Sequence, residues 1–163
     1  MRTMTRVFII DDHAIVRDVL RRQLQRAEID VVGEAGDLDD GLRQARRLHP
    51  EIIVLDAVLP QTHGLTALTL LRGAVPDAQI LYLGAYADPL HVNAAHEAGA
   101  SAYVFKDDAG TETVPTVLAL AGARAGNHRG APLGHDRRVV EPPSPAKVTS
   151  SSRARVGESP SRR

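Results

Sequence analysis

The chain has 163 residues with 20 basic and 20 acidic side chains, so its formal net charge is zero. It contains no cysteine, which excludes disulfides, a thiol nucleophile and thiolate metal sites, and fits a reducing compartment. The charges are unevenly placed: residues 1–123 hold 11 basic and 17 acidic residues, a net of −6, and residues 124–163 hold the other 9 and 3, a net of +6. The opening MRTMTRVFII is too short an apolar run for a signal-peptide core or a membrane span, so a cytoplasmic protein with no membrane segment is expected.

Taken in chain order, short apolar runs alternate with segments of helical period. RVFII (6–10) is a β-branched and aromatic strand that stops at Asp11. IVRDVLRRQL (15–24) sets Ile15, Val16, Val19, Leu20 and Leu24 on one face and arginines on the other, which predicts an amphipathic helix. DVVGEA (30–35) reads as a second strand. In DLDDGLRQARRLH (37–49), Leu38, Leu42, Ala45 and Leu48 share a side, the acidic start and basic end complement the helix dipole, and Pro50 stops the helix. EIIVLD (51–56) is a continuous apolar run ending in Asp56, as suits a strand covered on both faces. LTALTLLRG (65–73) predicts a helix ended by Gly73, and QILYLG (79–84) a fourth strand. Pro89 to Ala98 predicts a helix ended by Gly99, and SAYVFK (101–106) a fifth strand. Thr111 to Ala123 predicts a last helix with Pro115 near its first turn, where proline is tolerated.

Five β–α units in succession imply a doubly wound α/β domain over residues 1–123, with a five-stranded parallel sheet between two helical layers. Residues 124–163 are rich in Gly, Pro, Ser and Arg, with no aromatic residue and no Ile, and are expected to form a disordered basic tail without a helix-turn-helix. No repeat of solenoid spacing is present.

In such sheets the chemistry lies beyond the C-terminal ends of the strands. The residues there are Asp11 and Asp12 after the first strand, Asp56 after the third, Gly84 after the fourth and Lys106 after the fifth. Crowded carboxylates repel unless a cation is present, and oxygen ligands favour a hard ion such as Mg2+. Mg2+, a lysine and a carboxylate nucleophile together suit phosphoryl transfer through an aspartyl-phosphate. Taken singly, Asp11 and Asp12 also suit the N-cap of the following helix, and Lys106 a solvated surface. His13, His49 and His63 show no metal-ligand spacing and receive no catalytic role.

The motifs IIDDHAIVRDVL, VVGEAGD, PEIIVLDAVLPQTHGLTAL and EAGASAYVFKD together resemble the receiver domain of bacterial two-component response regulators, of NarL/FixJ type, over roughly residues 5–123. The resemblance implies a flavodoxin-like, CheY-like fold. It implies that Asp56 accepts a phosphoryl group from a sensor histidine kinase. It further implies that Asp12 ligates Mg2+ directly, Asp11 helps through a metal-bound water, and the Val58 backbone carbonyl is a further ligand. Lys106 and the Ala85 backbone N–H would bind the phosphoryl, Pro60 and Gly64 would shape the acceptor loop, and Tyr103 would be the aromatic switch. One departure stands out: the family usually has Thr or Ser where this chain has Gly84.

The resemblance implies a signalling module rather than an enzyme acting on a separate substrate. Its expected outputs are homodimerisation or a downstream protein partner, with no nucleic acid bound by the receiver itself. Two alternatives stand beside it: an interaction module not switched by phosphorylation, and a truncated NarL-type transcriptional regulator. A haloacid-dehalogenase-type phosphatase needs a second Asp two residues after the nucleophile, where this chain has Val58.

Overall fold

The structure is a computed structural model that describes residues 4–127. Its strands are β1 (Arg6–Ile10), β2 (Asp30–Ala35), β3 (Ile52–Asp56), β4 (Val58–Leu59), β5 (Thr62–His63), β6 (Gln79–Gly84) and β7 (Ala102–Phe105). Its helices are α1 (Ala14–Arg26), α2 (Leu38–Leu48), α3 (Gly64–Ala74), α4 (Pro89–Glu97) and α5 (Ala109–Asn127), the last entered through a short 3-10 turn at Lys106–Asp108. The main sheet has five strands in the order β2-β1-β3-β6-β7, and every neighbouring pair is parallel. This is the doubly wound α/β architecture expected from the alternating pattern.

The two-residue alternation of the strands divides the core. Phe8, Ile10, Ile53, Leu55, Ile80 and Tyr82 point to one face, under Leu38 and Ala45 of α2, Leu68 and Leu71 of α3 and Ala95 of α4. Val7, Ile9, Ile52, Val54, Leu81 and Leu83 point to the other, under Leu20 and Leu24 of α1 and Val117 of α5. All five residues of β3 are buried, because this strand lies at the centre of the sheet with helices on both sides.

Several expected boundaries and contacts differ. On α1, only Leu20 and Leu24 are fully buried; Ile15 is 80% exposed and Val19 45% exposed. The helix contacts the sheet along a stripe of one residue per turn, so the flanking apolar positions face solvent. Gly73 does not end α3, which runs to Ala74 and is closed by Val75 just before Pro76. α5 starts earlier than expected, at Ala109, so Pro115 lies in its interior, where its nitrogen has no hydrogen to give the preceding turn.

The same helix runs to Asn127, so Arg124 does not begin the tail; its guanidinium donates to the Asp77 carbonyl at 2.7 Å. The rest of the expected disordered tail lies outside the described residues. Two ends follow their local chemistry. Asp37 caps α2 by accepting from the Asp40 N–H at 2.9 Å, and Gly99 leaves α4 with φ of +111°.

Candidate functional site

The site forms at the C-terminal edge of the sheet because β1, β3, β6 and β7 end there side by side. Asp11 follows β1 directly, and its N–H donates to the Ala35 carbonyl at 3.1 Å, which extends the ladder by one residue. Asp56 is the last residue of β3. Lys106 follows β7, where the chain tightens into its 3-10 turn.

The Lys106 Nζ donates to Asp56 Oδ2 at 2.7 Å. Asp56 is 0% exposed, while the lysine is 29% exposed, so the ammonium reaches the buried carboxylate from a partly solvated position. The other Asp56 oxygen, Oδ1, accepts from the Val58 N–H at 3.2 Å. Asp11 is 1% exposed; its Oδ1 accepts from the His13 N–H at 2.8 Å, and its Oδ2 has no hydrogen-bond partner. Burial pushes the Asp11 carboxyl above its ordinary value, the His13 hydrogen bond opposes this, and the nearby Asp56 charge raises it further.

Asp12 is exposed at the rim. Neither aspartate caps α1, whose N-cap is His13 with no side-chain bond. Single ligand atoms of Asp11, Asp12, His13 and Asp56 lie within 4.8 Å of one another. Three carboxylates at this spacing, one with a buried unpartnered oxygen, fit a hard divalent cation such as Mg2+.

His13, expected to stand apart from any metal site, lies in the cluster. Its Nδ1 lies 2.7 Å from Asp12 Oδ1 and 3.4 Å from Asp11 Oδ1, so it belongs to the cluster. His13 has no partner at metal-ligand spacing along the chain and joins the cluster because it directly follows the acidic pair; that adjacency was the available signal.

The loop after Asp56 carries regular structure that the sequence did not announce. Residues after Asp56 fold into a small antiparallel hairpin, β4–β5, that pairs Val58 with His63 and Leu59 with Thr62. Pro60 and Gln61 make its turn, Gln61 with φ of +59°. Gly64 follows, buried; a Cβ there would overlap the Ala57 carbonyl and the Tyr82 hydroxyl, so only glycine fits. Burial pushes that Tyr82 hydroxyl up to about 12, with Tyr103 and the Asp56 charge adding to the shift.

Gly84, the family departure, ends β6. Gly84, Ala85 and Tyr103 line a cleft of about 320 Å³ with Val58, Gly64 and Tyr86, beside the loop after Asp56. The Tyr103 hydroxyl donates to the Tyr86 carbonyl.

A five-stranded parallel sheet with this acidic edge defines the CheY-like branch of the flavodoxin-like α/β class. The family model for the response regulator receiver domain matches residues 7–116. The chain belongs to the receiver domains of two-component response regulators.

It is 36% identical over 123 residues to the DNA-binding transcriptional activator DevR/DosR of Mycobacterium tuberculosis, covering 75% of this chain and 57% of that protein. Among solved structures, it is similar to a LuxR-family two-component response regulator from Aurantimonas sp. SI85-9A1. That match has 36% identity and a TM-score of 0.68, and covers 74% of this chain and 87% of that one. It is also similar to the signal receiver domain of NarL from Mycobacterium tuberculosis, with 30% identity and a TM-score of 0.69, over 76% of this chain and 100% of that one. The relatives are thus of NarL/LuxR type. The chain spans between 54% and 57% of the length of the first curated relatives it matches.

Proposed function

We propose that Asp56 accepts a phosphoryl group from the phosphohistidine of a sensor histidine kinase, in a Mg2+-dependent reaction. The observation that carries this reading is the fully buried Asp56 carboxylate paired with Lys106 at 2.7 Å, facing a second buried carboxylate whose Oδ2 has no partner. Asp11, Asp12 and Asp56 would hold the cation, together with the Val58 carbonyl. When bound, Mg2+ supplies positive charge that offsets both the carboxylates and the phosphoryl oxygens.

The chain's own groups do the rest. The Val58 N–H and Lys106 Nζ hold the two Asp56 oxygens in a fixed direction. One of those oxygens attacks phosphorus, the phosphorus–nitrogen bond breaks, and its electron pair returns to the kinase imidazole. Lys106 then pairs with a phosphoryl oxygen, and the Ala85 N–H donates to another. The Asp56 carboxylate is itself buried, while Asp12 and the partly exposed Lys106 form the open rim through which the donor reaches it.

The product adds negative charge at the edge of the sheet, and that change is the signal. The output proposed is a protein contact or a homodimer, in the cytoplasm. No helix among the described residues is long and apolar enough to cross a membrane. An output by DNA binding, as in the DNA-binding transcriptional activator DevR/DosR, would need a segment outside residues 4–127.

Intact mass after incubation with MgCl2 and acetyl phosphate tests the reading. A single base-labile phosphoryl adduct that needs Mg2+ and disappears in Asp56→Asn is expected. An undiminished adduct on Asp56→Asn overturns the assignment.

A further inference from the structure

Gly84 and Tyr103 lie on neighbouring strands and depend on each other. In the β6–β7 register Tyr103 faces Tyr82, two residues before Gly84, with ring centroids 5.8 Å apart. From there the Tyr103 ring reaches diagonally over Gly84. A Cβ built on Gly84 would overlap the Tyr103 hydroxyl and Cζ and lie 2.6 Å from Cε2, all inside the 3.0 Å that real Cβ contacts essentially never breach. The ring therefore fills the volume that any side chain at 84 would need.

The ring also has a polar anchor. Its hydroxyl donates to the carbonyl of Tyr86 in the loop between β6 and α4. The Tyr86 ring stacks on His91 of α4, with centroids 4.4 Å apart. A single side chain from β7 thus holds the loop that borders the acceptor, by lying on a glycine.

We propose that Tyr103, resting on Gly84, is a standing clasp on the β6–α4 loop that holds whether or not Asp56 carries a phosphoryl group. The proposal takes Asp56 as the acceptor, as argued above. A hydroxyl-bearing side chain at 84 could turn toward the phosphoryl or into the ring's place, and so would couple the two. Glycine has no such moving part, and the remaining donor on that segment, the Ala85 N–H, is backbone. Nothing at position 84 therefore tells Tyr103 what Asp56 carries, the Ala85 N–H meets the phosphoryl from the position in which the clasp already holds the loop, and the surface formed by the loop and α4 is presented in both states.

The test uses the full chain labelled with 3-fluorotyrosine. The three tyrosines are assigned by single Tyr→Phe variants, and 19F spectra are paired with intact mass before and after MgCl2 and acetyl phosphate. The Tyr103 resonance should keep one position while the adduct accumulates; a resonance that moves or splits in step with the adduct overturns the clasp. If no adduct forms, the acceptor reading fails, and Gly84→Ser decides the clasp alone. That variant should shift Tyr103 toward the position of a solvent-exposed tyrosine, and an unmoved resonance overturns the proposal. Should Gly84→Ser not fold, Tyr103→Phe keeps the ring and removes only the bond to Tyr86. Amide exchange at Tyr86–Asp88 should then quicken by roughly three- to tenfold, and unchanged exchange overturns the clasp.

Discussion

Replacing Asp11 by Asn should stabilise the metal-free protein, although it removes a residue of the proposed site. Asp11 and Asp56 place carboxylate oxygens within 4.8 Å of each other, both almost wholly buried. At an effective dielectric of about 20, two such charges repel by ~3.5 kcal/mol. The Lys106 ammonium offsets a large part, and Oδ2 of Asp11 is left without a partner, a further cost of about 1–3 kcal/mol. An amide carries no charge and can donate toward Asp56. The expected gain is about 1–2 kcal/mol without metal, read as a higher urea midpoint by circular dichroism. Mg2+ at a hundred times its Kd should stabilise the wild type by about 2.7 kcal/mol and the variant far less.

The effect of pH follows in sign. Burial holds the Asp11 carboxyl above its ordinary 3.8. Its contribution to stability is therefore fully present below 3.8 and is lost as the pH rises through the raised value. The advantage of Asp11→Asn over the metal-free wild type should shrink as the pH falls toward 4. A variant less stable than wild type by 1 kcal/mol at neutral pH without metal would refute the reasoning.

Lys106→Ala removes the cation from a fully buried carboxylate and should cost about 2 kcal/mol, below the range for a fully buried pair because the lysine is partly exposed; chemical denaturation measures it. Gly64→Ala drives a methyl group into the Ala57 carbonyl and the Tyr82 hydroxyl and should cost about 2–3 kcal/mol, with a slower rate of adduct formation from acetyl phosphate. Asp37→Ala should lower stability by about 1 kcal/mol through loss of the α2 cap and leave adduct formation unchanged.

The sequence carried most of the sheet and of its acidic edge, for a physical reason. β1 and β3 are continuous apolar runs closed by Asp11 and Asp56, and Lys106 follows the edge strand β7 directly, so these three could be read as strand ends, as could Gly84 at the end of β6. What escaped depends on contacts between distant segments. The β4–β5 hairpin rests on a positive φ at Gln61, a residue with no special preference for it.

Arg72 was also unremarkable in the chain. Its guanidinium donates to the carbonyls of Ala78 at 2.7 Å and Gly99 at 3.0 Å, tying α3 to the start of β6 and the end of α4. The exposure of Ile15 and Val19 shows that an apolar face is wider than the stripe a sheet covers. Gly84 was legible as a departure, but not the ring that fills its place, because Tyr103 reaches it from another strand.

The acceptor assignment meets its most direct test in reductive trapping. After MgCl2 and acetyl phosphate, borohydride converts an aspartyl-phosphate to homoserine, and tandem mass spectrometry locates it. Homoserine at position 56, formed only with Mg2+ and the phosphodonor, is the predicted result. Homoserine at position 11 or 12 instead, or none at 56 in protein that carries the adduct, would contradict the account.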